Sequence, residues 1–195
     1  HPMNKNRLEA FSDGVIAIII TIMVLELKVP RDTSLNAIAA LWPTFFSYAL
    51  SFIFIGIYWG NHHHLLHVVK KVSSGIIWAN LNLLFWLSLI PFATGWMGQN
   101  HFAKYTVVAY AVLLNICGIA YTILQRLIAS CHHYTPAMQA AMDKQTQKGV
   151  ISMVGYSAAL GLAFVHPLIS EILFVSVAIL WLVPGKNIER AYSGE

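Results

Sequence analysis

Charge is scarce in this sequence. Twelve Lys and Arg with eight Asp and Glu make up 10% of 195 residues, against about 25% in soluble globular domains. With 57% hydrophobic residues and a mean hydropathy of +0.64, a soluble fold could not hide the apolar surface, which leaves an integral membrane protein. Cysteine is rarer still. Cys117 and Cys131 stand 14 residues apart on what reads as one helix, roughly 20 Å at 1.5 Å per residue, beyond disulfide reach. Basic residues occur singly or in pairs between apolar runs, so the net charge of +4 does not point to nucleic acid. Internal repeats, low-complexity tracts and a separate soluble domain are not seen. No cleavable signal peptide is evident, and His1-Pro2 reads as a cloning remnant.

What the chain does have is long apolar runs. A hydrocarbon core about 30 Å thick needs about 20 apolar residues per helix, and six segments approach that: 11–27, 37–61, 76–97, 102–127, 149–165 and 168–182. The expected fold is therefore all-α, a polytopic membrane protein with six transmembrane helices. The last two runs are short and joined by Val165-His166-Pro167, so they are expected as a tight hairpin, with four spans plus a re-entrant hairpin as the competing count. Lys and Arg are retained on the cytoplasmic side during insertion. With the amino terminus inside, Lys5, Arg7, Lys70, Lys71, Arg126, Lys144, Lys148, Lys186 and Arg190 fall inside, and Lys28, Arg31 and Lys104 outside. Nine against three puts both termini in the cytoplasm. The polar stretch Ser130–Lys148 is then a cytoplasmic loop or short helix.

Three apolar runs carry polar groups that need partners. The first contains Arg7, Phe11, Ser12 and Asp13 ahead of Gly14, Ile18, Thr21, Ile22 and Leu25, spaced by three and four along one helical face. Charges there cost several kcal/mol unless paired, so they face protein or a pathway; capping of the helix by Ser12 or Asp13 is the alternative. The second ends Trp59-Gly60-Asn61-His62-His63-His64-Leu65-Leu66-His67. His63 and His67 share a face, but no Cys, Asp or Glu lies nearby in sequence to complete a zinc set. The third holds Asn80 and Asn82, then Pro91-Phe92-Ala93-Thr94, and amides in a membrane find partners on neighbouring helices.

Together, Arg7-x3-Phe11-Ser12-Asp13, Trp59-x2-His62-His63 and Asn80-Leu81 with Pro91-Phe92-x-Thr94 resemble the transmembrane protein 175 family of potassium channels in its bacterial form. The resemblance covers about the first half of the chain. It implies a homotetramer of six-helix subunits in the bacterial inner membrane, surrounded by lipid, with the first helix of each copy lining a central pore for potassium. It further implies a hydrophobic constriction at Ile18, Ile22 and Leu25 and a selectivity ring at Thr21, for which a back-bond to the Ala17 carbonyl is the alternative. Arg7, Phe11, Ser12, Asp13, Trp59, His62 or His63, and Asn80 would form an interhelical network. No enzyme activity, no cofactor and no metal beyond transient potassium are implied.

The chain lacks a Thr-Val-Gly-Tyr-Gly filter and any span with Arg or Lys at every third residue, so neither a carbonyl-ring filter nor a voltage sensor is expected. Three rivals remain open. A proton channel of the same type would use Asp13 and the histidines as relays. A proton-coupled exporter would need a midplane acid, yet Glu26 and Glu171 read as boundary residues. A haem-binding carrier would need histidines at matching depth.

Overall fold

The computed structural model describes residues 4–69, 71–131 and 135–182. The expectations for His1, Pro2, Lys70, Lys186, Arg190 and the carboxyl end lie outside these. The described residues form eight helices: α1 Lys5–Met23, α2 Leu35–Ala39, α3 Trp42–His67, α4 Ser74–Ser88, α5 Ile90–Gln99, α6 Lys104–Cys131, α7 Pro136–Leu162 and α8 Pro167–Leu182. A tighter 3₁₀ turn, Val24–Glu26, extends α1.

Helix α1 begins at Lys5, not Phe11, because the Asn4 side chain accepts from the Asn6 N–H and caps it. Ser12 and Asp13 are thereby interior residues rather than caps. Pro43, tolerated in a first turn where no N–H is needed, sits at the start of α3 and separates it from α2. The expected run 37–61 is thus two helices, and α3 continues through the histidines to His67. The expected run 76–97 divides at Leu89 into α4 and α5. Pro91 has no N–H to reach the Leu87 carbonyl and its ring crowds that carbonyl.

The stretch read as a loop or short helix is instead the first half of a 27-residue helix, α7. Thr135 accepts from the Met138 N–H and Pro136 follows it, the arrangement that favours a helix start. Helix α7 stops at Leu162 rather than 165, since Pro167 excludes its predecessor from helical backbone.

Among the described residues, four stretches are long and apolar enough to cross a membrane: Lys5–Glu26, Trp42–His67, Ser74–Gln99 and Lys104–Cys131. Helix α8 is apolar but shorter, at 16 residues. Helix α6 is the hub, touching α4, α5, α7 and α8, while α1 lies on α3, α4 and α5. The buried core runs through Leu83, Leu87, Tyr110, Leu114, Cys117 and Phe174.

Side-chain bonds fix which helix ends meet. Lys5 Nζ donates to the His67 carbonyl at 2.6 Å, and Gln145 Nε2 donates to Asn61 Oδ1 and Tyr121 Oη, both at 2.9 Å. At the opposite end, Gln99 Nε2 donates to Glu26 Oε2 at 2.8 Å. Among the described residues Lys5, Arg7, Lys71, Arg126, Lys144 and Lys148 gather towards the first end, and Lys28, Arg31 and Lys104 towards the second.

Candidate functional site

One stripe of α1, Leu8, Ser12, Ile16, Ile19 and Met23, is buried at spacings of three and four. In its inner half this stripe is pinned by hydrogen bonds. Asn80 of α4 donates through Nδ2 to Ser12 Oγ at 2.9 Å, and Ser12 Oγ in turn donates to the Leu8 carbonyl at 2.8 Å. The amide oxygen of Asn80 therefore faces His62 of α3, whose Nε2 lies 2.6 Å away. An amide oxygen only accepts, so His62 carries its proton on Nε2. Its Nδ1 is buried with no partner among the described residues. Ser12, His62 and Asn80 are fully buried, so the chain His62 to Asn80 to Ser12 to Leu8 ties three helices together away from water.

A second tie lies nearer the surface. Trp59 Nε1 donates to Asp13 Oδ1 at 3.0 Å, and the Trp59 ring stacks on His63 at 6.3 Å between centroids. His63 Nδ1 pairs with Glu9 Oε1 at 3.0 Å. The adjacent histidines thus do different things: His62 enters the buried chain, and His63 faces out towards α1.

The structure brings together Ser12, Asp13, Trp59, His62, His63 and Asn80, but not Arg7 or Phe11. Arg7 is exposed and makes no hydrogen bond or ion pair among the described residues. Phe11 is exposed on the opposite face of α1. Sequence reasoning missed Glu9, although it stands one turn before Asp13 and therefore on the same face.

Thr94 joins a separate buried cluster between α3, α5 and α6. Its Oγ1 lies 2.7 Å from Ser51 Oγ and from the Ile90 carbonyl, and Ser51 Oγ is 2.7 Å from Tyr110 Oη. Ser47 and Ser51, hydroxyls four apart in an apolar run, were the available sign of it.

The other face of α1 has no partner among the described residues. Ile18, Ile22 and Leu25 expose 58%, 46% and 68% of their surface, and Gly14 and Thr21 are exposed beside them. Thr21 Oγ1 donates back to the carbonyls of Ala17 and Ile18, at 3.0 and 2.9 Å. That occupies its proton and leaves oxygen lone pairs free to accept or to coordinate a cation. At its far end α1 is held again, by the Glu26–Gln99 bond, and Gly95 makes room for it. A Cβ at that position would stand 2.5 Å from Glu26 Oε2.

Residues 7–91 match the family model described as endosomal/lysosomal potassium channel TMEM175. The chain is 49% identical to a potassium channel of Chryseobacterium sp. (strain P1-3), over 97% of this chain and 98% of that one. It is 33% identical to the endosomal/lysosomal proton channel TMEM175 of Mus musculus over 47% of its own length, which is 21% of the mouse protein. Its fold superposes on the crystal structure of a lysosomal potassium-selective channel TMEM175 homolog from Chamaesiphon minutus with a TM-score of 0.82 and 26% identity, covering 92% of this chain and 96% of that one.

Proposed function

Because the chain belongs to the TMEM175 family of ion channels, we propose that it is a potassium-selective channel that conducts passively as a homotetramer, with α1 of each subunit lining the pore. One observation carries this reading: α1 is anchored on one face and unpartnered on the other, and the unpartnered face alternates apolar rows with a hydroxyl. Around a fourfold axis Ile18, Ile22 and Leu25 become stacked apolar rings, with Thr21 between the first two. From Ile18 to Leu25 the rings span about 11 Å, taking about 1.5 Å per helical residue and about 2.0 Å in the 3₁₀ turn. Apolar rings close a pore by dewetting, because ions shed water there without replacement ligands. Thr21 is the one side chain of this set that offers such a ligand.

In this reading each subunit crosses the bilayer six times, α7 and α8 forming the last hairpin. The 16 residues of α8 reach about 24 Å at 1.5 Å per residue, short of the core thickness by an amount that local thinning accommodates. Both termini lie in the cytoplasm, as the basic residues at one end of the bundle favour, and the bilayer is the bacterial inner membrane.

A second reading, conduction of protons, is favoured by the name of the mouse relative. Reconstitution into liposomes under mixed ionic gradients separates the two, because the reversal potential follows either potassium or pH. In the same assay Ile18→Asn should raise conductance by wetting the constriction, and Thr21→Val should lower the preference for potassium over sodium while current persists. Unchanged conductance in the first variant moves the pore off α1, and an unchanged permeability ratio in the second removes Thr21 from the filter.

A further inference from the structure

A crevice of about 340 Å³ opens between α3, α6, α7 and α8, remote from the free face of α1. Its inner wall is apolar and aromatic: Phe54 and Ile57 of α3, Met153 and Tyr156 of α7, and Trp181 of α8. Its rim carries Asn61, Gln125, Thr146 and Arg126, and the described lining contains no carboxylate. Arg126 is exposed and makes no hydrogen bond or ion pair among the described residues. A guanidinium beside an apolar slot, near the carboxyl end of a membrane-crossing helix, reaches the headgroup level, where an anionic group is its natural counterpart.

The walls are held in place independently. Trp181 Nε1 donates to Ser152 Oγ at 2.8 Å, Lys148 Nζ donates to the Leu180 carbonyl at 3.1 Å, and Gln125 Nε2 donates to Thr146 Oγ1 at 3.0 Å. The emptiness is built from glycine. Gly149 lines the slot in mid-helix, and a Cβ there would meet nothing within 4 Å. Glycine at such a position costs helix stability relative to alanine by about 1 kcal/mol.

We infer that this crevice is a site for an anionic phospholipid, one acyl chain lying against Phe54, Ile57, Met153, Tyr156 and Trp181 and the phosphate meeting Arg126. Shape and charge are divided as such an amphiphile requires. The slot is mostly apolar where a hydrocarbon would lie, and Arg126, the one cation of the described lining, has amide and hydroxyl groups beside it. Arginine suits phosphate because its planar fork donates two parallel hydrogen bonds. The site rests on the proposal that the chain is membrane-embedded with this rim at the inner headgroup level, but not on conduction. A protein that fails to pass potassium would still show it.

The test is native mass spectrometry of the intact oligomer in detergent, after washing and re-addition of phosphatidylglycerol or phosphatidylcholine. The wild type should retain one phosphatidylglycerol per subunit, preferred over phosphatidylcholine by about tenfold, or about 1.4 kcal/mol. Arg126→Gln should erase that preference while keeping lipid. Gly149→Leu should abolish retention of both lipids with the oligomer intact, since its side chain enters open space. Equal retention of the two lipids by the wild type, or an unchanged lipid count in Gly149→Leu, overturns the assignment. Inorganic phosphate competing as well as phosphatidylglycerol also overturns it, by showing a free-anion site. Loss of the oligomer in Gly149→Leu with lipid retained would give the crevice to a second copy of the chain and refute the lipid.

Discussion

The buried chain His62–Asn80–Ser12 makes a quantitative demand on stability. Replacing Asn80 by Ala removes the acceptor 2.6 Å from His62 Nε2. Because His62 Nδ1 has no partner among the described residues, the variant leaves both ring nitrogens without one in a fully buried position. Ser12 suffers less, since it still donates to Leu8. An orphaned buried donor costs about 1–3 kcal/mol, and a chain of this size loses about 2–4 °C of melting temperature per kcal/mol. Asn80→Ala should therefore lower the midpoint of the detergent-solubilised protein by about 2–12 °C, followed by fluorescence-detected size exclusion after heating. The cause is isolated by a double-mutant cycle with His62→Leu. If the loss arises from the stranded ring, Asn80→Ala costs less once the ring is gone. Couplings of this kind inside membranes average about 0.6 kcal/mol and reach about 1.7. A short bond with no alternative partner belongs in the upper half of that range, so a coupling of about 1–1.7 kcal/mol is expected. Additivity within about 0.3 kcal/mol would refute the reasoning, because the two side chains would then not depend on each other.

Gly98→Ala should destabilise the subunit by about 1–3 kcal/mol, the usual cost of overpacking, because its Cβ would collide with Ser47 Oγ and stand 2.7 Å from the Thr44 Cα, which is backbone and cannot turn aside. Gly95→Ala meets first the Glu26 side chain, which can move aside, so its melting temperature should fall less than that of Gly98→Ala; the reverse order in the same thermal assay would contradict the fold. Arg7→Ala, which removes no contact among the described residues, should leave subunit melting within about 0.5 kcal/mol of wild type, and a larger loss in the isolated subunit would show a missed intrachain partner. Cysteines placed at Lys144 and Lys104 should react with an impermeant maleimide from opposite sides of inside-out and right-side-out vesicles, Lys144 from the cytoplasmic face; labelling of both from one side would invert or break the proposed topology.

The apolar runs were legible because hydropathy reports them directly, and α1, α3, α6 and α8 follow them with ends displaced by caps and prolines. Helix α7 was not legible in its first half. Gln139, Lys144, Gln145 and Lys148 lower hydropathy without opposing helix, and the start signal Thr135-Pro136 was the cue that outweighed polarity. In the site, the residue types and their order on three helices were readable, but which histidine meets Asn80 was not. Consecutive helical residues point about 100° apart, and only the seating of α3 against α4 decides that His62 turns inward and His63 turns towards Glu9. Arg7 stands apart from this network within one subunit: it is exposed, and its position near the amino end lets the side chain reach water.

The polar bonds also explain why α1 exposes the face it does. Ile16, Ile18, Ile19, Ile20 and Ile22 surround the helix, so hydrophobicity alone gives it little reason to prefer one rotation about its axis over another. Ile18 and Ile19 are chemically identical neighbours, yet Ile18 is exposed and Ile19 is buried. What distinguishes them is their phase relative to Ser12 and Asp13. Turning α1 by one residue, about 100°, would withdraw Ser12 from Asn80, stranding a buried amide, and would carry Asp13 away from Trp59. The stranded buried amide alone costs about 1–3 kcal/mol, more than an exchange of one isoleucine for another could return. The network therefore acts as a rotational key: it holds Ser12 inward, and by helical spacing alone this sends Ile18, Thr21, Ile22 and Leu25 outward to whatever the free face meets.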